Sequence, residues 1–186
     1  ALLINNPKFI KRAKIIRDKG TNRDLFDQNI VKKYTWVDYG SSYGLSEINA
    51  AVLYSQLKNA KQIIKKRIEL FKEYLKLFEE LEIQNLVKRP QVPNYCKFNG
   101  HIFYIIIKNK RDLLIKFLKK KKISSVFHYV PLHSSPFGKY CTKTKSSMKN
   151  TNFIANNLLR LPLHFHLKQI EQIKILKKIK KFFIKK

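Results

Sequence analysis

HIFYIIIK, residues 101–108, is the stretch of sequence that most strongly constrains the fold. Its residues are nearly all apolar and either β-branched or aromatic, which is typical of a buried strand. Beyond it, the pattern predicts a helix over residues 110–122, a second strand over residues 123–130, and helices over residues 146–160 and 167–184. The order strand, helix, strand, helix, helix predicts a small α/β or α+β domain.

The predicted helices are amphipathic. A long helix over residues 59–82 leads into the domain, because apolar residues recur there at helical spacing: Ile64, Ile68, Phe71, Leu75 and Phe78. The inward positions predicted for the helix at 110–122 are Leu113, Leu114, Phe117 and Leu118. Those predicted for the last helix are Leu167, Ile170, Ile173, Leu176, Ile179 and Phe183.

The chain opens with a predicted strand end at residues 1–5, followed by a helix. Asn6 is suited to cap that helix and Pro7 to occupy its first position, where a missing N–H is tolerated. Lys19 and Gly20 favour a helix end. Because the first residue is an alanine within an apolar run, we expect the chain to begin inside a larger protein.

Residues 21–45 lack regular periodicity but hold several aromatic side chains: Tyr34, Trp36, Tyr39 and Tyr43. Long irregular stretches are usually functional or disordered, and the aromatic content argues against disorder. Ser46 is suited to cap the short apolar helix that follows. We therefore expect a functional loop before residue 46.

The composition is strongly basic, with 40 Lys and Arg against 12 Asp and Glu and a net charge of +28. Such a balance is typical of proteins that bind nucleic acid or anionic membranes. The cations are mostly lysine, however, and lysine, Asn, Ile and Phe share A/T-rich codons. A nucleic-acid binder would favour arginine for bidentate contacts. We therefore favour compositional drift and expect no specific nucleic-acid partner.

No apolar run reaches the roughly 18 residues of a membrane helix, and no secretory signal pattern opens the chain. Cys96 and Cys141 lack the C-x-x-C spacing of zinc and redox motifs. We expect a cytoplasmic chain that does not bind membranes.

All five histidines follow residue 100: His101, His128, His133, His164 and His166. No carboxylate or cysteine lies near them at ligand spacing, so we expect no metal site. His128 and His133 flank the end of a predicted strand, where pocket residues often gather. For the other three, a structural role is as consistent with the sequence as a place in a pocket.

Several short motifs follow one another in a fixed order: KGTNR at 19–23, KYTWVDYGSSY at 33–43, SEINAA at 46–51, QL at 56–57, HIFY at 101–104, FHYVPLH at 127–133 and LPL at 161–163. In this series the chain resembles the nucleotide-sugar aminotransferases of the DegT/StrS group. The resemblance covers essentially the whole chain.

The resemblance implies an α/β fold, namely the C-terminal part of the type I pyridoxal-phosphate aminotransferase fold. Residues 1–58 would be the end of the large cofactor domain, and residues 59–186 a small C-terminal domain entered by the long helix. The implied cofactor is pyridoxal 5'-phosphate. The implied partners are a nucleotide-sugar substrate, glutamate, and either a second copy in a homodimer or a complementing N-terminal half.

Family members form an imine between a lysine and the cofactor, and that lysine lies upstream of the point that matches Ala1. No catalytic residue is therefore assigned in this chain. Many relatives carry Gly-x-Asn-x-Arg before the Ser-Glu helix start, and its asparagine reaches the cofactor phosphate of the other subunit. Ser42 stands at that asparagine position and Gly44 at that of the arginine, so Ser42 is the predicted cofactor-binding residue.

The predicted substrate-binding residues are Tyr34, Trp36, Tyr43, His128, Tyr129 and His133, and packing between domains is the alternative role for them. Three functions stay open. The first is transfer of an amino group to a 4-keto-6-deoxy nucleotide sugar for surface polysaccharide. The second is an inactive remnant of a degraded gene, and the third is a basic module that binds nucleic acid or anionic surfaces.

Overall fold

The computed structural model describes residues 2–141 and 146–184, and the chain divides into two compact units, residues 1–58 and 59–186. The first unit contains a 3-10 helix at Pro7–Phe9, α1 (Ile10–Arg17), α2 (Arg23–Asp27) and α3 (Glu47–Lys58). The second contains α4 (Ala60–Leu77), α5 (Glu79–Ile83), β1 (Phe103–Ile106), α6 (Arg111–Lys120), β2 (Val126–Phe127), a 3-10 helix at Leu132–Ser134, α7 (Pro136–Cys141), α8 (Lys149–Asn157), β3 (Leu158–Leu161) and α9 (Gln169–Ile184).

Capping residues fix the helices of the first unit as the sequence predicts. The Asn6 side chain accepts a hydrogen bond from the Lys8 N–H at 3.1 Å, with Pro7 at the first position. The first helix ends where Lys19 and Gly20 both take positive φ angles. Ser46 Oγ accepts from the Asn49 N–H at 3.4 Å, so its predicted cap is also confirmed.

The predicted strand at residues 1–5 is wrong for residues 2–5, and Ala1 lies outside the described residues. Leu2 and Leu3 are 76% and 88% exposed. A strand needs a neighbour to receive its hydrogen bonds, and none of the described residues pairs with this segment. The described part of residues 1–58 buries no large hydrophobic side chain.

The second unit is built on a three-stranded antiparallel sheet in the order β1-β3-β2. The predicted helix over 146–160 is wrong at its end, because residues 158–160 belong to the central strand. Leucine is compatible with both helix and strand, and here pairing with the two flanking strands makes these residues a strand. The strand predicted over 123–130 is confirmed only at Val126–Phe127.

In the core of the second unit, helices pack against one face of this sheet. Tyr74 stacks on Phe103 with ring centroids 4.7 Å apart, and Phe78 lies 5.9 Å from Phe103. Tyr74 is fully buried although it lies off the predicted apolar stripe of the long helix, whereas Ile64 on that stripe is exposed. The predicted single helix over 59–82 is broken at Phe78 into α4 and α5.

Two predicted inward faces are partly wrong. Leu113 is 59% exposed while Leu114 and Leu118 of the same helix are fully buried. In α9, Ile170 is 54% exposed and the buried face is rotated. Its buried members are Gln172, Ile175, Leu176 and Ile179. A glutamine is tolerated there because its side-chain amide donates to the Leu70 carbonyl at 2.8 Å.

The turn before β1 is fixed by Gly100 and Arg67. Gly100 has φ +64°, and a Cβ there would lie 2.7 Å from the Arg67 carbonyl carbon, so a side chain does not fit. Arg67 Nε donates to the Gly100 carbonyl at 3.0 Å, and its guanidinium also donates to the His101 carbonyl. Among the described residues, no helix is both long and apolar enough to cross a membrane.

Candidate functional site

In the first unit, the predicted functional loop packs against the end of α1. The Gly20 carbonyl accepts hydrogen bonds from the N–H groups of Val37 and Asp38, at 2.8 and 3.0 Å. A Cβ on Gly20 would lie 1.7 Å from the Asp38 oxygen, and one on Gly40 would lie 2.1 Å from the Gly20 nitrogen. The KGTNR and KYTWVDYGSSY motifs are thus in direct contact, and glycine is required where they meet.

Ser42 lies in an anion-compatible pocket. Its backbone forms an isolated antiparallel β-bridge with Asp18. The next residue, Tyr43, donates its N–H to the Arg17 carbonyl at 3.0 Å. The pocket is lined by Ser42 and Tyr43 together with Arg17, Asp18, Lys19, Arg23, Gly44 and Leu45. Three cationic residues, two hydroxyl-bearing residues and a single carboxylate therefore line this pocket, a set of groups that suits a phosphate.

Arg23 links this pocket to Tyr34. Its guanidinium lies 5.9 Å from the centroid of the Tyr34 ring, a cation–π distance, and Tyr34 packs edge-on against Phe26 at 5.7 Å. The same arginine lies 4.0 Å from an Asp18 carboxylate oxygen. Ser42, Tyr43 and Tyr34 are therefore brought together through one arginine.

Trp36 lies against the glycine contact. It forms a bridge with Thr21, and a Cβ on Gly20 would be 3.0 Å from its indole nitrogen. Its side chain is 72% exposed. The sequence motifs did not reveal the cationic lining of the pocket, although Lys19 and Arg23 belong to one of them. The sequence feature that could have indicated a cationic pocket is the position of Lys19 and Arg23 on either side of the turn at Gly20.

In the second unit, His128 directly follows β2. Its Nδ1 atom is buried and has no hydrogen-bond partner among the described residues. Its ring packs edge-on against Tyr129, with centroids 4.8 Å apart, and Tyr129 itself is exposed. A buried, unpaired ring nitrogen is a group that a ligand or water must satisfy.

His133 is held by a different partner. Its Nε2 atom lies 2.9 Å from the Asn152 side-chain oxygen. The 3-10 helix that carries it is fixed by Ser134, whose hydroxyl donates to the Pro131 carbonyl at 2.9 Å. The asparagine partner was not found from sequence, because nothing in a single sequence relates residues this far apart.

The described residues include no group of three or more His, Cys, Asp or Glu side chains that could hold a metal ion. Cys96 and Cys141 are both exposed free thiols.

The fold is that of part of a sugar aminotransferase. The structure of S. venezuelae DesV, in complex with a ketimine intermediate, matches 97% of this chain and 45% of its own with a TM-score of 0.82 and 23% identity. A protein from Streptococcus pneumoniae described as a sugar aminotransferase in its PMP-form matches 96% of this chain and 45% of its own, with a TM-score of 0.78 and 21% identity.

The model of the DegT/DnrJ/EryC1/StrS aminotransferase family matches residues 1–180. The chain belongs to this family. A UDP-4-amino-4,6-dideoxy-N-acetyl-beta-L-altrosamine transaminase of Campylobacter jejuni is 27% identical over 97% of this chain and 49% of its own length. The chain thus spans about half the length of the curated relatives it matches.

Proposed function

We propose that this chain is the C-terminal half of a pyridoxal-phosphate-dependent sugar aminotransferase. Its substrate would be a 4-keto-6-deoxy nucleotide sugar and its amino donor would be glutamate. The reaction would take place in the cytoplasm. The product would be a precursor of a surface polysaccharide such as lipopolysaccharide or common antigen. Family membership over residues 1–180 supports this function. The Ser41-Ser42-Tyr43 version of the loop favours the activity of a dTDP-4-amino-4,6-dideoxygalactose transaminase.

The pocket around Ser42 is the observation that carries the proposal. Pyridoxal phosphate supplies an aldehyde that accepts and passes on the amino group, and it is anchored through its phosphate. The Ser42 hydroxyl would donate a hydrogen bond to that phosphate, and Arg17, Lys19 and Arg23 would offset its charge. Gly44 also lines this pocket but has no side chain, so it supplies no charged contact where many relatives have arginine.

Both units contain predicted substrate-binding residues. Tyr34, Trp36 and Tyr43 would offer apolar ring faces to a sugar, and His128, Tyr129 and His133 would offer polar contacts to its hydroxyl and phosphate groups. The unpaired Nδ1 of His128 is the group most in need of such a contact.

The imine-forming lysine would come from outside this chain, since none of its 33 lysines is assigned that role. We propose that residues 1–58 complete a large domain whose other part covers their exposed apolar side chains, Leu2, Phe9 and Ile10 among them. The assembled enzyme would be a homodimer, or a complex of this chain with a complementing N-terminal half.

The test is complementation. The chain is purified together with the upstream half of a family member, and pyridoxal phosphate uptake is followed by the visible absorbance of the imine. We expect uptake by the mixture and, for Ser42→Ala, cofactor affinity weakened by roughly fivefold to tenfold, since one charge-assisted hydrogen bond is lost.

Ser41→Ala is the matched control, because Ser41 is the adjacent hydroxyl and does not line the pocket. If the complex forms and takes up the cofactor but both variants bind it equally well, the role of Ser42 is refuted. If the complex forms and takes up none, the inactive-remnant hypothesis replaces the enzyme.

A further inference from the structure

The sheet of the second unit presents an arginine on the face opposite its core. Along β1 and β3, Phe103, Ile105, Leu159 and Leu161 are buried in the core, and the residues between them, Tyr104 and Arg160, are only partly buried. Leu158, at the start of β3, is also buried. Arg160 sits at the centre of this outer face, paired with Tyr104 on one side and Val126 on the other. A central strand position places its side chain between two neighbours rather than at a free edge.

Arg160 opens into a pocket formed by the second unit alone. Its polar lining is His101, Ser124, Arg160 and His164, and its apolar lining comes from Leu161, Pro162 and their neighbours. None of the described residues that line it is acidic. The pocket therefore combines one fixed positive charge with imidazole and hydroxyl donors, the donor set by which proteins bind oxyanions.

The Arg160 guanidinium has no hydrogen bond or ion pair with any residue in the described ranges 2–141 and 146–184, although the residue is half-buried. Two other partly buried arginines have partners: Arg89 pairs with Glu82 and Arg111 with Asp112. A partly buried charge without a counter-ion is costly unless a ligand or solvent compensates it. A bound anion would supply that compensation.

The pocket walls are fixed before any ligand arrives. The His101 N–H donates to the Asn99 side chain at 3.0 Å and its carbonyl accepts from Arg67. The His164 carbonyl accepts from the Leu167 N–H at 3.0 Å. The Pro162 carbonyl accepts from the Tyr74 hydroxyl. The backbone that carries the pocket residues therefore needs little ordering when a ligand binds.

We propose that this pocket is a binding site for a small oxyanion, a phosphate or a carboxylate group, with Arg160 as its main ligand and His101 and His164 as flanking donors. The residues of this site all belong to the second unit, so its test does not depend on the pocket around Ser42 or on the proposed aminotransferase function.

The experiment is proton NMR of the full chain, whose five histidines give a small set of imidazole signals. Inorganic phosphate and, separately, acetate replace chloride at constant ionic strength. We expect the His101 and His164 signals to shift in a saturable way. Saturation by phosphate alone or by acetate alone identifies which of the two groups the site accepts.

Arg160→Met should weaken this binding about tenfold or more, because a charge-assisted, bidentate contact is removed. Lys119→Gln is the control, since it removes the same charge from an exposed helix position. His101→Gln, at an exposed position outside the strands, is the second variant if Arg160→Met fails to fold. The proposal is overturned if no saturable shift occurs, or if the pocket variant that folds binds as tightly as Lys119→Gln.

Discussion

The Tyr74 hydroxyl donates a hydrogen bond to the Pro162 carbonyl oxygen at 3.1 Å, which ties α4 to the turn that follows the central strand. The ring is fully buried and stacks on Phe103. Burial raises the pKa of Tyr74 well above its usual value of 10.0, and the Glu171 carboxylate adds to this effect. The phenol is therefore held neutral by the fold.

Tyr74→Phe removes this hydrogen bond and keeps the ring. We expect the free energy of unfolding to fall by about 1–2 kcal/mol, because a carbonyl loses its partner. Chemical denaturation at neutral pH measures it. Tyr95→Phe is the control, since Tyr95 is 89% exposed, and an equal loss in both variants would contradict the prediction.

The same residue predicts a response to alkaline pH. Since the folded pKa of Tyr74 is raised, the native state holds its proton more tightly than the unfolded chain does. Its contribution is complete below pH 10.0 and is lost as the pH rises further. Tyr74→Phe should therefore show a shallower loss of stability above pH 10.0 than the parent chain, measured by denaturation at several pH values. Parallel curves would argue against it.

Leu159→Ala should strongly destabilise the sheet. Leu159 is fully buried in the central strand and pairs with Ile105 and Phe127. Removing a buried leucine typically costs about 2–5 kcal/mol through lost transfer energy and a residual cavity. Leu132→Ala serves as the control because Leu132 is 83% exposed. Thermal melts of the two variants should differ clearly, and similar melting temperatures would refute the assignment of this core.

Gly100→Ala tests the turn before β1. The positive φ angle and the close approach of the Arg67 backbone both oppose a side chain. We expect a loss of about 1–3 kcal/mol, from the strained backbone and the displaced neighbour. Gly44→Ala is the comparison, since a Cβ at Gly44 meets nothing within 4 Å. Denaturation curves that coincide for these two alanine variants would show that the turn tolerates a side chain.

The interaction of Glu82 with Arg89 predicts how the stability of the fold changes at acidic pH. Burial raises the pKa of its carboxyl, but hydrogen bonds from the Arg89 N–H and guanidinium, at 2.7 and 2.6 Å, and the nearby positive charges lower it more. The folded pKa is thus depressed, so the carboxylate stabilises the fold above its usual pKa and this contribution is lost as the pH falls through the folded pKa.

Glu82→Gln should therefore flatten the loss of stability below about pH 4.5. The effect is on the order of 1 kcal/mol or less, because the pair is only partly buried. Glu73→Gln is a suitable control, as Glu73 forms none of the described ion pairs. If the free energy of unfolding falls equally below about pH 4.5 in Glu82→Gln and in the parent chain, the stabilising role of the Arg89 contacts is contradicted.

Local patterns in the sequence account for much of the fold. Asn6, Gly20 and Ser46 act on backbone groups only a few residues away, so their helix boundaries could be predicted. The central strand could not be predicted in the same way. Residues 158–161 become a strand because β1 and β2 flank them, and that pairing joins residues about 55 and 30 positions apart.

The candidate sites also combine features that could be predicted from sequence with features that could not. Ser42 and the substrate-lining residues came from matching motifs to a family, and their roles stay predictions. The cationic partners of Ser42 and the Asn152 contact of His133 depend on chain crossings that one sequence does not reveal. The pocket at Arg160 was missed because the helix predicted over 146–160 hid the strand on which this arginine lies.

The order of strands in space has a consequence for how this domain is made. Both β1 and β2 hydrogen-bond only to β3 within the described sheet, and β3 is the last of the three to be translated. During synthesis both outer strands leave the ribosome before the strand that joins them, although Ile106 of β1 can already pair with Lys88. The sheet closes only once residues 158–161 have emerged. Until then α4, α5 and α6 are the helices already made that could cover HIFYIIIK against other nascent chains.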